Sequence, residues 1–135
     1  MVLYSDAFFN LSYASAPDIL YVALQDQRNL FVSEVRRIFV SIVSCSREHR
    51  FRRLLLDFGG NRVEMTEREY RAMMAQLAVG LLPAPVEKAA LAMATDTIPE
   101  GRVETIYREM QAAVLLPLEL RAFPRKTQAL RWLMA

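Results

Sequence analysis

The spacing of hydrophobic positions changes period several times along the chain, and each change marks an element. Over residues 3–13 the pattern alternates loosely. Tyr4, Asp6, Phe8, Asn10 and Ser12 fall on one side and Ala7, Phe9, Leu11 and Tyr13 on the other, as in a strand. Ala14-Ser15-Ala16-Pro17-Asp18 interrupts it with turn chemistry, because proline presets φ and aspartate bonds nearby backbone. Ile19-Leu20-Tyr21-Val22-Ala23-Leu24 then resumes as a second strand, near enough to the first to predict an antiparallel hairpin.

From Asn29 to about Glu48 the period becomes helical. Phe31, Val35, Ile38, Phe39, Ile42 and Val43 share one face, with Glu34, Arg36, Arg37, Ser41 and Ser44 mostly opposite. Phe51 to Phe58 holds Leu54-Leu55-Leu56, a short apolar run ended by Gly59-Gly60, which fits a strand buried on both faces of a parallel sheet. A second helix is predicted from Thr66 to about Val79, burying Tyr70, Met73, Met74 and Leu77. Ala89 to Ala94 reads as another strand. A third helix follows Pro99, with Val103, Ile106, Tyr107, Met110 and Val114 on one side. Leu118 to Phe123 alternates as a strand, and Thr127 to Met134 closes as a short helix. The order is ββαβαβαβα. It predicts one α/β domain over residues 1–135, with a mixed, mostly parallel sheet of about five strands and four helices.

Composition narrows the chemistry. Apolar residues make up 53% of the 135, enough for a full core. Seventeen basic and fifteen acidic residues leave a net charge of +2, too little to predict a nucleic-acid partner. A single cysteine and a single histidine exclude an intrachain disulfide, a structural zinc site and a paired-histidine metal site. Cys45, without a second thiol to resolve it, reads as a small buried or half-buried side chain. Met1 to Asp6 lacks the basic and apolar regions of a signal peptide. Leu77 to Val86 is uncharged but holds Gly80, Pro83 and Pro85, and a spanning helix needs about 20 apolar residues. A cytoplasmic protein without a transmembrane segment is expected.

The element order, Leu54-Leu55-Leu56-Asp57-Phe58 and the closing Thr127-Gln128-Ala129-Leu130-Arg131-Trp132-Leu133 resemble the STAS superfamily, and within it the SpoIIAA-like branch of small bacterial proteins. The resemblance implies a mixed sheet with the first strand at an edge. It also implies a mostly non-enzymatic repertoire: partner binding, as in anti-sigma-factor antagonists, sometimes switched by phosphorylation, or binding of a small ligand. In antagonist members the strand ending in Asp leads to an Asp-Ser-Ser/Thr-Gly-like helix start whose serine is phosphorylated. Counting from Asp57, the matching stretch is Glu64-Met65-Thr66-Glu67, which puts Thr66 near the phosphoacceptor but lacks the Asp and Gly of the pattern. Thr66-Glu67-Arg68-Glu69 is equally a capping box, and Glu64, Glu67 and Glu69 would repel a phosphate there.

Three further features carry candidate chemistry. Gly59-Gly60-Asn61 reads as a tight turn after the central strand and lacks the later glycines and lysine of a phosphate loop. Ligands in open α/β sheets gather beyond the carboxyl ends of strands. Asp26, then Asp57, Gly59, Gly60 and Asn61, then Thr95, Asp96 and Thr97 all follow strands, so they form a candidate rim. Arg47, Arg50, Arg52 and Arg53 make the densest charge cluster, either a solvated loop or an anion-binding patch. Leu81, Leu82 and Val86 form a candidate surface for self-association, unless that apolar connection packs on its own domain.

No catalytic constellation is present: His49 has no evident partner, no Gly-x-Ser-x-Gly elbow exists, and Glu67 and Glu69 lie on different helix faces. The expectation is a non-enzymatic binding module without a cofactor, acting on a protein partner through the loops after the strands. The rival is a carrier or sensor of a small apolar or lipid-like ligand, motivated by the surplus of Met, Phe and Leu. A void-free core favours the first and a cavity of several hundred cubic ångströms the second.

Overall fold

The computed structural model describes residues 1–5, 7–24, 29–64, 66–94, 105, 108–109 and 118–135. Its strands are β1 (Val2–Ser5), β2 (Phe9–Ala14), β3 (Ile19–Leu24), β4 (Asn29–Leu30), β5 (Arg53–Val63), β6 (Lys88–Ala94) and β7 (Glu119–Phe123). Its helices are α1 (Val32–Glu48), α2 (Glu67–Gly80) and α3 (Lys126–Met134). The predicted helix after Pro99 falls mostly outside the described residues; Thr105, Arg108 and Glu109 are helical, and Glu109 Oε2 meets Arg71 Nη1 at 2.6 Å.

The sheet runs β1-β2-β3-β5-β6-β7, with β4 taking up β5 further along. The β1–β2 and β2–β3 pairs are antiparallel, and β3, β4 and β6 all pair with β5 in parallel, as does β7 with β6. The mixed, mostly parallel α/β sheet is as expected, with β1 at an edge. The strand count and order differ in two places. Residues 3–13 are two strands that pair with each other, Tyr4 with Leu11 and Ser5 with Asn10, and Phe8 and Phe9 enter the same apolar cluster, as neighbours on one strand cannot. The chain reverses between Ser5 and Asn10, and the two rings meet edge to face with centroids 5.6 Å apart. The second addition is β4, a two-residue strand just ahead of α1.

Alternation along β5 divides the interior. Leu54, Leu56 and Phe58 join Leu20, Val22, Leu91 and Leu120 under α1 and α2. Leu55 points the other way and, with Ile19, Ala90 and Ala92, packs against Ala129 and Leu133 of α3. Burying each leucine contributes roughly 1.5–3 kcal/mol. The alanines that make β6 a weak strand former leave room for helices on both faces. Between α2 and the sheet a void lined by Met74, Leu77, Leu81 and Leu120, among other described residues, measures about 10 Å³.

Two polar devices fix the ends of elements. Arg53 and Lys88 are register partners on β5 and β6. Arg53 Nε donates to Leu133 O at 2.9 Å, while Lys88 Nζ donates to Trp132 O at 3.2 Å and Ala135 O at 3.1 Å. Two cations therefore satisfy the last carbonyls of α3, where the helix dipole favours positive charge. In the β2–β3 turn, Asp18 sits at φ 66° and its Oδ1 accepts from Tyr13 Oη at 2.6 Å. That hydrogen bond first, then burial, then the carboxylate's charge hold the Tyr13 phenol above its usual pKa.

The two helices of the first face come close at Gly80. A Cβ there would lie 2.6 Å from Val43 Cγ2, and valine in a helix has one strongly preferred rotamer, so it cannot swing aside. Gly80→Ala should therefore cost about 1–3 kcal/mol in denaturant unfolding, although alanine is the better helix former. Val43→Ala should return most of that loss in the double variant, whereas additive losses would remove the steric account. A second prediction follows from Tyr13. Because its folded pKa is raised, the stability from its hydrogen bond is complete below pH 10 and is lost as pH climbs through the folded value. The melting-temperature advantage of wild type over Tyr13→Phe should narrow above pH 10.

Candidate functional site

Thr66 lies where a helix cap belongs. Its Oγ1 accepts from Glu69 N at 3.1 Å, and Thr66 N donates to Glu69 Oε1 at 3.0 Å, closing the capping box. The residue is exposed at the start of α2, with Glu67 and Glu69 in the first turn and Glu64 two residues ahead. Any phosphate added here would meet the favourable helix terminus and unfavourable carboxylates at once.

The predicted tight turn at Gly59-Gly60-Asn61 is strand instead. Between Asp57 and Arg62, β5 advances five residues while β6 advances two, from Ala92 to Ala94. The glycines occupy this bulge, where absent side chains let the strand change its course. Beyond it β5 takes β4 as a partner through Arg62 with Asn29 and Val63 with Leu30. Asp57 is half-buried, and its Oδ1 accepts from Gly59 N at 3.0 Å. Asp26, Thr95, Asp96 and Thr97, the rest of the expected rim, lie outside the described residues.

The four arginines do not form one patch. Arg53 is committed to Leu133 O and to Pro17 O, the latter from Nη1 at 2.5 Å. Arg52 Nε stands 3.9 Å from Asp18 Oδ2. Arg47 and Arg50 line a different surface, beside Gly80, Pro83 and Pro85.

The proposed association surface is likewise corrected. Leu81 is 1% exposed and Val86 4%, so both belong to the core, and only Leu82, at 41%, faces outward. Leu81 N donates to Leu77 O and Ala84 N to Leu81 O, turns that fold the uncharged connection back onto the domain without regular structure. A glutamate at Leu81 would place a charge in the core. Phe31, read as core, is 48% exposed at the N-cap of α1.

The surface that emerges lies along the outer seam of α1 and α2. Arg36, Val40, Val43 with Ser44, and Arg47 recur at helical spacing and face Gln76 and Gly80 across a groove of about 330 Å³. A second concavity of about 300 Å³ continues past Arg47 and Gly80 to Arg50, Pro83 and Pro85. Val40 is 60% exposed, and Val79 and Leu82 are also exposed nearby in sequence to this seam. No acidic side chain is among the described residues lining either concavity. Cys45, on α1, is half-buried as expected, and burial followed by the charge of Glu48 raises its thiol pKa. Among the described residues no group of three potential metal ligands exists, and no helix is long and apolar enough to cross a membrane. Sequence reading missed this groove. Its only advance signal was Val40, an apolar residue among Arg36, Arg37, Ser41 and Ser44.

Sheet order, parallel centre, antiparallel edge and helix placement define a SpoIIAA/STAS-like fold. The chain is similar over 97% of its length to an uncharacterised protein of the DUF3478 family with a SpoIIAA-like fold from Shewanella loihica PV-4. The likeness covers 98% of that chain, with 13% sequence identity and a TM-score of 0.54, so it is a likeness of fold. No family model and no curated protein matches the chain.

The cap assignment makes a direct prediction. Thr66→Ala should lower stability by about 1 kcal/mol, while Thr66→Ser leaves it nearly unchanged. An unaltered unfolding midpoint for the alanine variant would overturn the assignment.

Proposed function

We propose that this chain is a non-enzymatic, cytoplasmic protein-binding module of the regulatory kind found among anti-sigma-factor antagonists, and that the α1–α2 seam is its partner surface. The observation that carries this reading is the stripe from Arg36 through Val40 and Val43 to Arg47 beside the close helix contact at Gly80. The exposed Val40 and half-buried Val43, between guanidiniums that no acidic side chain among the described lining residues opposes, suit a partner helix with an apolar stripe flanked by Asp or Glu. Burial of the valines would supply affinity, and the arginines would set orientation and association rate. Arginine is also a residue type on which interface energy concentrates. The rival, an apolar-ligand carrier, draws no support from the described interior, where the void between α2 and the sheet is about 10 Å³.

The test places a photo-crosslinking amino acid at Val40 or Leu82 in the producing cell. Both side chains are exposed, so the fold should tolerate the change. A discrete adduct with one protein, carrying an acidic amphipathic segment and lost when Arg36 and Arg47 become Glu, is the expected outcome. An adduct of the chain with itself would replace the heterologous partner by a second copy. No adduct at either position would overturn the seam as a partner surface.

A further inference from the structure

The opposite side of the molecule, where α3 meets β7, carries a different constellation. Arg121 on β7 lies over two rings at once: its Cζ is 5.5 Å from the Phe123 centroid and 5.8 Å from the Trp132 centroid. The two rings are 5.7 Å apart and inclined by 43°. With Pro124, Gln128 and Arg131 they line a shallow concavity of about 400 Å³. Gln128, Arg131 and Trp132 stand at i, i+3 and i+4 on one face of α3, and Arg121 and Phe123 share a face of β7 by strand alternation. The chemistry is unlike that of the α1–α2 seam, and the two surfaces are separated by the sheet.

We infer that this concavity binds an aromatic acid: a planar ring bearing a carboxylate or a phosphate. A guanidinium stacked on rings keeps its N–H edge free, and that edge matches two oxygens of an oxyanion. Stacking also holds the side chain in place, so less conformational freedom is lost when the anion arrives. Two guanidiniums share the concavity, none of its lining residues is acidic, and neither arginine has an ion-pair partner among the described residues. Their mutual repulsion is relieved by an anion placed between them. Pro124 and the half-buried faces of Phe123 and Trp132 offer apolar area to the ring, whereas a bare anion would leave that area unused. Lys88 does not compete for the ligand. Its ammonium lies 5.1 Å from the Trp132 centroid and is bonded to the carbonyls of Trp132 and Ala135. It fixes the indole from behind the helix end.

The chain holds one tryptophan, so the indole N–H of Trp132 gives a single resonance in a proton–nitrogen correlation spectrum. The intact protein is titrated with 1-naphthoate, 1-naphthyl phosphate, neutral 1-naphthalenemethanol, acetate and inorganic phosphate. A saturable shift of the indole signal with either naphthyl acid is expected. Affinity should be about tenfold lower for the neutral alcohol and for the ringless anions. The stronger of the two acids identifies carboxylate or phosphate as the natural group. Arg121→Gln and Arg131→Gln should each weaken binding by about tenfold while the remaining spectrum stays that of the folded protein. Absence of a saturable shift with both acids would overturn the inference. Equal affinity for the alcohol, equal affinity for the ringless anions, or an unchanged affinity in Arg121→Gln would do so as well.

Discussion

Three consecutive leucines at the centre of the sheet set the terms for everything around them. Leu54 and Leu56 point to one side of β5 and Leu55 to the other, so neither face of the sheet can be left to water. Among the described residues the first face is covered by two long helices, and the second by the nine residues of α3. A helix that short has little intrinsic stability. It depends on its docked apolar side and on Arg53 and Lys88, which close its last carbonyls from two adjacent strands. Arg53 is thereby withdrawn from the run of arginines that it closes in the sequence.

The two faces differ in how tightly they are made, and the differences produce the candidate surfaces. Where α1 and α2 come together at Val43 and Gly80, backbone approaches side chain without room for a methyl group. Helices drawn this close leave a seam that their outer residues do not fill, edged by Arg36 and Arg47. On the far face α3 packs small and apolar residues inward, Ala129 and Leu133, and leaves its longer side chains at the margin with β7. The first geometry offers a furrow for another chain, and the second a shallow aromatic shelf. A common fold thus presents two recognition chemistries through the way its helices sit on it.

Much of this architecture was legible in the chain. The periods of β3, α1, α2 and β7, the turn at Pro17-Asp18 and the cap at Thr66 follow from local rules that tertiary packing left unchanged. The failures share a cause. Residues 3–13 kept an alternating pattern across a chain reversal, because a pattern of alternation carries no information about direction. Gly59-Gly60 looked like a turn because glycine frees the backbone equally for a turn or for a bulge, and pairing to β4 and β6 decided between them. Leu81 and Val86 looked exposed because prolines barred regular structure, yet an irregular segment still buries side chains when its backbone bonds are satisfied locally. The groove and the aromatic shelf join residues distant in sequence, which no local pattern reports.

The contact between Arg53 and Leu133 spans 80 positions of sequence. During synthesis the strands and the two long helices leave the ribosome first, with Ile19, Leu55, Ala90 and Ala92 still facing water. Among the described residues, it is 126–134 that bring a helix onto that apolar sheet surface. The nascent chain therefore passes through a stage in which the larger apolar cluster is assembled while the smaller one still lacks Ala129 and Leu133. Termination before α3 would leave that smaller apolar surface without Ala129 and Leu133, giving the truncated product a route to aggregation.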